Sequence, residues 1–115
     1  MVKLPILQQK IVKLTAAGTN DYLNSEMVKP GQFWEVTRVF VLNVDHTATD
    51  ARVGPYNGAD HFVLANSAIG TANVGVNFLG PFYIREGHTF RCHVVGATAS
   101  DDLYFIFQYK VYTEE

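Results

Sequence analysis

The sequence predicts an all-β protein, an antiparallel β-sandwich of jelly-roll-like or immunoglobulin-like type with an extended N-terminal arm. Three observations carry that expectation. Apolar residues alternate with a period of two over the longest patterned segments, turn-forming dipeptides recur between them, and no stretch sustains a clean helical spacing. A chain of 115 residues suits a single domain, divided here into an arm with the first strand over 1–29 and a sandwich body over 30–115.

The elements follow in chain order. Leu4, Leu7, Ile11 and Leu14 recur at spacings of three and four, but Pro5 and the β-branched pair Ile11-Val12 disfavour a helix. The segment therefore reads as an extended arm running into a strand at 10–16. After the turn Lys29-Pro30-Gly31, residues 32–44 place Trp34, Val36, Phe40, Leu42 and Val44 on alternate positions, with only Arg38 breaking the row. Phe33, Val39 and Val41 occupy the other face, so this strand is expected to be central and covered on both sides. Shorter strands at 51–56 and 60–65 flank Asn57-Gly58, a pair that accepts the positive φ of a tight hairpin. Over 73–85, Val74, Val76, Phe78, Phe82 and Ile84 define one buried face, and Glu86-Gly87 joins this strand to another at 88–95 as a second hairpin. Residues 102–112 close the chain with Leu103, Phe105, Phe107, Tyr109 and Val111 on one face and Tyr104, Ile106, Gln108, Lys110 and Tyr112 on the other. The total is seven strands, or eight if 73–85 breaks at Gly80-Pro81.

Composition narrows the classes of function. Apolar residues make up 48% of the chain and charged residues 17%, against about 25% charged in an ordinary soluble domain. A formal net charge of -2 supplies no basic field for nucleic acid. The single cysteine excludes an internal disulfide framework. No apolar run has the length of a membrane-spanning helix, and the N-terminus lacks a signal-peptide core, so neither a membrane partner nor Sec export is expected.

Candidate chemistry is sparse. His46, His61, His88 and His93 with Glu86 raise a metal site of cupin type, but there is no His-x-His pair, Glu86 and His88 straddle a turn, and His93 falls on the opposite strand face from His88. Cys92 shares a face with Phe90 and Val94, which predicts a buried, inert thiol. Ser25, Ser67 and Ser100 sit in no nucleophile elbow, and the acids Asp45, Asp50, Asp60, Asp101 and Asp102 form no calcium loop. The expectation is a protein with no catalytic residue, no cofactor and no metal. Aromatics are more telling, because Tyr104, Phe105, Phe107, Tyr109 and Tyr112 crowd into one strand whose second face is poor in charge. Aromatic, charge-poor outer faces characterise protein interfaces. A carbohydrate platform built on Trp34, Tyr56 or Tyr83 is the competing reading.

The order of features resembles a known group. A Pro-Gly turn leading into Gln32-Phe33-Trp34-Glu35-Val36, a Gly-Pro-Phe-Tyr-Ile strand running into Ile84-Arg85-Glu86-Gly87-His88, and a closing aromatic strand resemble small β-sandwich virion proteins of tailed bacteriophages. In that group the second turn carries Asp where this chain has His88. The resemblance implies a non-enzymatic virion protein made in the host cytoplasm, a capsid decoration or cementing protein or a tail accessory protein. It further implies a homo-oligomer, with a trimer favoured, whose other partners are the major capsid protein or tail proteins. Residues 1–29 would form the arm that reaches neighbouring subunits. The interface expected on these grounds comprises Leu4, Ile6, Leu7 and Ile11 from the arm and Tyr104, Ile106 and Tyr112 from the last strand. A carbohydrate-binding or receptor-binding module of a phage tail or fibre is the alternative.

Overall fold

The computed structural model describes residues 5–114. Its strands in chain order are β1 (Ile6–Thr15), β2 (Asn20–Asn24), β3 (Gln32–Asn43), β4 (Ala48–Tyr56), β5 (Ala65–Ile69), β6 (Val76–Ile84), β7 (Thr89–Val95) and β8 (Asp102–Thr113). They form two four-stranded antiparallel sheets, one in the order β1-β8-β3-β6 and the other β2-β7-β4-β5. The pairs β1/β8, β2/β7, β3/β6 and β4/β5 describe one long two-stranded ribbon closed at the β4/β5 turn. Rolling the ribbon brings β8 against β3 and β7 against β4. That is the double Greek key of a jelly roll, which decides against the immunoglobulin-like order. Among the described residues there is no helix long and apolar enough to cross a membrane.

The core fills the space between the two inner faces. Leu103, Phe105, Phe107 and Tyr109 of β8 point inward, as their alternation predicts, and meet Leu23, Phe90, Cys92 and Val94 from the other sheet. Phe90 joins the layers, with its ring centroid 5.1 Å from that of Phe105 and 5.3 Å from that of Phe107 in an edge-to-face contact. Trp34 stacks obliquely on Tyr109 at 4.4 Å. Burying one such side chain contributes about 1.5–3 kcal/mol, and an aromatic pair adds about 0.5–1.5 kcal/mol.

The structure corrects several expectations, each for a local reason. Alternation in β3 is interrupted between Val36 and Arg38, where the register shifts against both neighbours. Thr37 is the additional residue, and its hydroxyl donates to the Gln108 carbonyl at 3.2 Å. Beyond this bulge the inward set becomes Val39, Val41 and Asn43, while Arg38, Phe40 and Leu42 turn outward. Arg38 therefore breaks no row; the row changes face. β3 is central in its sheet, but its outer face is not covered by any other part of the described chain.

Glu86-Gly87 makes no hairpin, because β6 and β7 belong to different sheets. It is a corner, with Gly87 at φ 78° donating its N–H to the Val28 carbonyl. The fifth strand lies at Ala65–Ile69 rather than 60–65, because the Asn57 side chain caps the N–H groups of Ala59 and Asp60 in a wider turn. β6 runs through Gly80-Pro81 without breaking. β2 was not anticipated: it is short, and its inward positions are Leu23 and an aspartate, Asp21, which accepts the Ala17 N–H at 2.7 Å.

The largest correction concerns the arm. Residues 6–15 pair with β8 along their whole length and residues 20–24 pair with β7, so the first two strands are integral to both sheets. A separation between 1–29 and 30–115 does not exist in the described residues.

Candidate interaction surface

The two outer faces of the sandwich differ in chemistry. On the β2-β7-β4-β5 sheet the exposed side chains satisfy one another. The Arg91 guanidinium lies 3.4 Å from the Tyr56 ring centroid and 4.7 Å from that of Tyr22, and its Nε donates to Asn24 at 2.7 Å. His93 stacks on Tyr22 at 4.4 Å and reaches Asn20 through Nε2 at 2.9 Å. Arg52 donates to Asp50 at 2.8 Å, and Asn66 donates to the same carboxylate.

The outer face of β1-β8-β3-β6 instead interleaves polar side chains with exposed Leu7, Ile11, Leu79 and Tyr83. The register sets Ile11, Ile106, Phe40 and Asn77 in one row across the sheet and Lys13, Tyr104 and Leu42 in the next. A row nearer the other end reads Gln9, Gln108, Arg38 and Leu79, followed by Leu7, Lys110, Glu35 and Tyr83. Leu79 is 73% exposed and Ile11 61%. An open groove of about 270 Å³ runs between Ile106, Phe40 and Arg38. Beyond the last row Phe33 stacks flat on Tyr112, with centroids 4.8 Å apart and planes 5° from parallel.

Glu35 is the polar centre of that end. Its carboxylate accepts from the hydroxyls of Tyr112 at 3.2 Å and Tyr83 at 3.4 Å and lies 3.9 Å from the Lys110 ammonium. Burial and the neighbouring Glu35 charge both push the Tyr112 phenol above its ordinary pKa. A second open groove, of about 360 Å³, borders this cluster between Phe33, Tyr83, Arg85 and Glu114.

The structure therefore brings Leu7, Ile11, Tyr104, Ile106 and Tyr112 onto one face. Ile6 does not join them: it pairs with the inward-facing Val111 and is exposed only because it ends an edge strand. Leu4 lies outside the described residues. Phe40, Leu42 and Leu79 were not expected on this face. For Phe40 and Leu42 the signal was Arg38, a charge in an apolar row, which marks a change of parity. Leu79 could have been placed from the alternation of Phe78 and Phe82 alone.

The remaining candidates take structural positions. Trp34 is 3% exposed and cannot present a platform to a sugar. Tyr56 is half-buried with its ring covered by Arg91, and only Tyr83 of the three proposed platform residues is open. Cys92 is fully buried, and burial pushes its thiol far above the ordinary range. His61 is held below its ordinary pKa by burial, and His93 by burial together with the nearby Arg52 and Arg91. Among the described residues no group of three or more His, Cys, Asp or Glu side chains converges as metal ligands do. Asp101, buried at the base of β8, accepts from Asn43 Nδ2 at 2.8 Å and the Thr98 N–H at 2.9 Å, and lies 2.6 Å from His46 Nδ1. This network clamps the turn before β8 to the end of β3.

No protein-family model matches the sequence, and a search of curated proteins returns no significant match. Similarity appears among solved structures. The chain superposes on a subunit from Bacillus endospore appendages, described as a family of disulfide-linked pili, with a TM-score of 0.57 and 13% identity over 96% of this chain and 89% of that one. It also aligns with a low-affinity xylan-binding module from Roseburia intestinalis, with a TM-score of 0.46 and 11% identity over 99% and 88% of the two chains. The coat protein of tobacco streak virus aligns with a TM-score of 0.44 and 11% identity over 92% and 86%. At these identities the first likeness is one of fold, and the other two are too distant to bear on function.

Proposed function

We propose that this protein is a non-enzymatic structural subunit that works by self-association and by docking the outer face of its β1-β8-β3-β6 sheet onto a larger assembly. The observation that carries the reading is the outer face of β1-β8-β3-β6, where Leu7, Ile11, Leu79 and Tyr83 are exposed around a half-buried Ile106, between polar groups such as Glu35 and Lys110 that pair with each other. Four strands about 4.8 Å apart and some ten residues long present on the order of 600 Å². A standard protein interface takes about 800 Å² from each partner. Two such surfaces would bury about 1,200 Å², the lower limit for a specific interface.

The capsid decoration or cementing role implied by the likeness to phage virion proteins is the specific form we favour. Fold similarity to an appendage subunit is compatible with an assembly role, but the disulfide linkage of those pili has no counterpart here, because the sole cysteine is Cys92 and it is buried. Static light scattering at micromolar concentration tests the reading. The wild type is expected to be an oligomer, and Ile106→Asp, which changes only a half-exposed outward side chain, should shift it toward monomer without lowering its melting temperature. A monomeric wild type would count decisively against self-association. For the virion form, the protein should sediment with purified particles in stoichiometric amounts, and its absence from them would remove that assignment.

A carbohydrate-binding role is the second reading, favoured by the open groove beside Tyr83 and Phe33. Tyr83→Ala should then abolish any signal on a glycan array, whereas no binding by the wild type would discard it.

A further inference from the structure

We infer that two copies of this chain join through the free edge of β1, antiparallel about a two-fold axis at Ile11, so that their β1-β8-β3-β6 sheets become one continuous eight-stranded sheet. This deepens the self-association proposed above and rests on it.

The edge itself is the first observation. β1 is bonded to β8 over ten residues and ends its sheet. Among the described residues, no backbone hydrogen bond joins residues 6–15 to any segment other than β8. Such an edge offers a row of N–H and C=O groups to another strand. The other edges are defended. β2 and β5 are five residues each, and β6 contains Pro81, which has no N–H to give, beside a register shift against β3. Pairing of β1 with β6 of the next copy, which would propagate without end, is therefore disfavoured, while β1 with β1 closes at two copies.

Charge selects the register and hence the occupant. A two-fold axis normal to the sheet keeps inward residues inward, so each residue pairs with one of its own parity. Two such registers retain nine residues of β1 in the ladder. The one centred on Lys10 sets two ammonium groups against each other. The one centred on Ile11 sets Ile11 against its own copy, Gln9 against Lys13, and Lys10 against Val12. Both lysines that would guard the edge are engaged within their subunit, with Lys10 Nζ 3.9 Å from Glu26 and Lys13 Nζ 3.8 Å from Asp102. Ile11 already lies beside Ile106. Pairing at the axis thus makes an unbroken isoleucine row across both subunits and doubles the apolar face.

Cross-linking of the full chain tests this. At the axis the two Cα atoms would lie about 4.5–5.5 Å apart, within disulfide reach, and the buried Cys92 does not compete. Under mild oxidation, Ile11→Cys should form a covalent dimer at least tenfold faster than Gln9→Cys or Lys10→Cys. Ile11→Lys should weaken self-association at least tenfold while leaving the circular dichroism spectrum unchanged. If the wild type self-associates but Gln9→Cys or Lys10→Cys cross-links as fast as Ile11→Cys, the edge register is overturned and the outer-face reading stands. If the wild type is monomeric, both fail.

Discussion

Replacing Asp101 by Ala should destabilise this protein by about 2–4 kcal/mol, and the network around the carboxylate supplies the arithmetic. Asn43 is fully buried, and without Asp101 its Nδ2 keeps only a long 3.4 Å contact to the Thr47 carbonyl. A buried donor left unsatisfied costs about 1–3 kcal/mol, and bonds to a charged acceptor are worth more than neutral ones. The Thr98 N–H and the His46 ring are near solvent, where water replaces the carboxylate, so they add the smaller remainder. At roughly 2.1 cal/mol/K per residue, the unfolding entropy of 115 residues is about 240 cal/mol/K, so the melting temperature should fall by about 8–17 °C. The pH dependence gives a second reading. Burial raises the Asp101 pKa, but hydrogen bonds from Asn43, His46 and the Thr98 backbone outweigh it and hold the group below its ordinary value. A depressed carboxylate stabilises the fold fully above the unfolded pKa of about 3.9 and loses that contribution as pH falls through the lower folded value. The stability difference between wild type and Asp101→Ala, measured by urea unfolding, should therefore narrow below about pH 4. A melting temperature within about 2 °C of wild type, or a difference that stays constant into acid, would refute the network argument.

Other substitutions and titrations probe separate parts of the fold. Gly54→Ala should cost about 1–3 kcal/mol, read as a lower urea midpoint, because a Cβ there collides with the Phe62 carbonyl and no flexible side chain can move aside. Cys92 should not react with a thiol reagent in native buffer and should react fully in denaturant, since burial keeps the thiol protonated and out of reach. His61 and His93 are both depressed, so the unfolded chain takes up protons first and stability should decline as pH falls below about 6.5. Their ring signals in nuclear magnetic resonance should titrate below that of a free histidine, and midpoints above it would contradict the burial argument.

Much of the strand content was legible because one side of each long strand must be dry. The inward and outward sets of 102–112 follow from alternation alone, since a strand in a two-layer sandwich exposes every second residue to water. The same reasoning failed at Thr37, where one additional residue reverses parity, because a bulge is defined by the partner strands and leaves only the oddity of Arg38 in its own segment. β2 escaped for a related reason: its buried Asp21 is tolerable only because the backbone of the preceding turn solvates it.

Candidate-site residues divide in the same way. Tyr104, Ile106 and Tyr112 are placed on an outer face by period two, whatever the strands beside them. Leu7 and Ile11 reach that face only because β1 pairs in register with β8, nearly a full chain length away. The apolar surplus, the lack of charge, the all-β class and the alternating faces are written in local sequence, where side-chain chemistry and a two-residue period decide. Strand order is not: Glu86-Gly87 can turn back into a hairpin or cross to the opposite sheet with the same dipeptide. Only the closing of the whole ribbon, which satisfies its backbone hydrogen bonds and buries both inner faces at once, chose the jelly roll, left β1 at an open edge, and gathered the scattered apolar side chains onto one face.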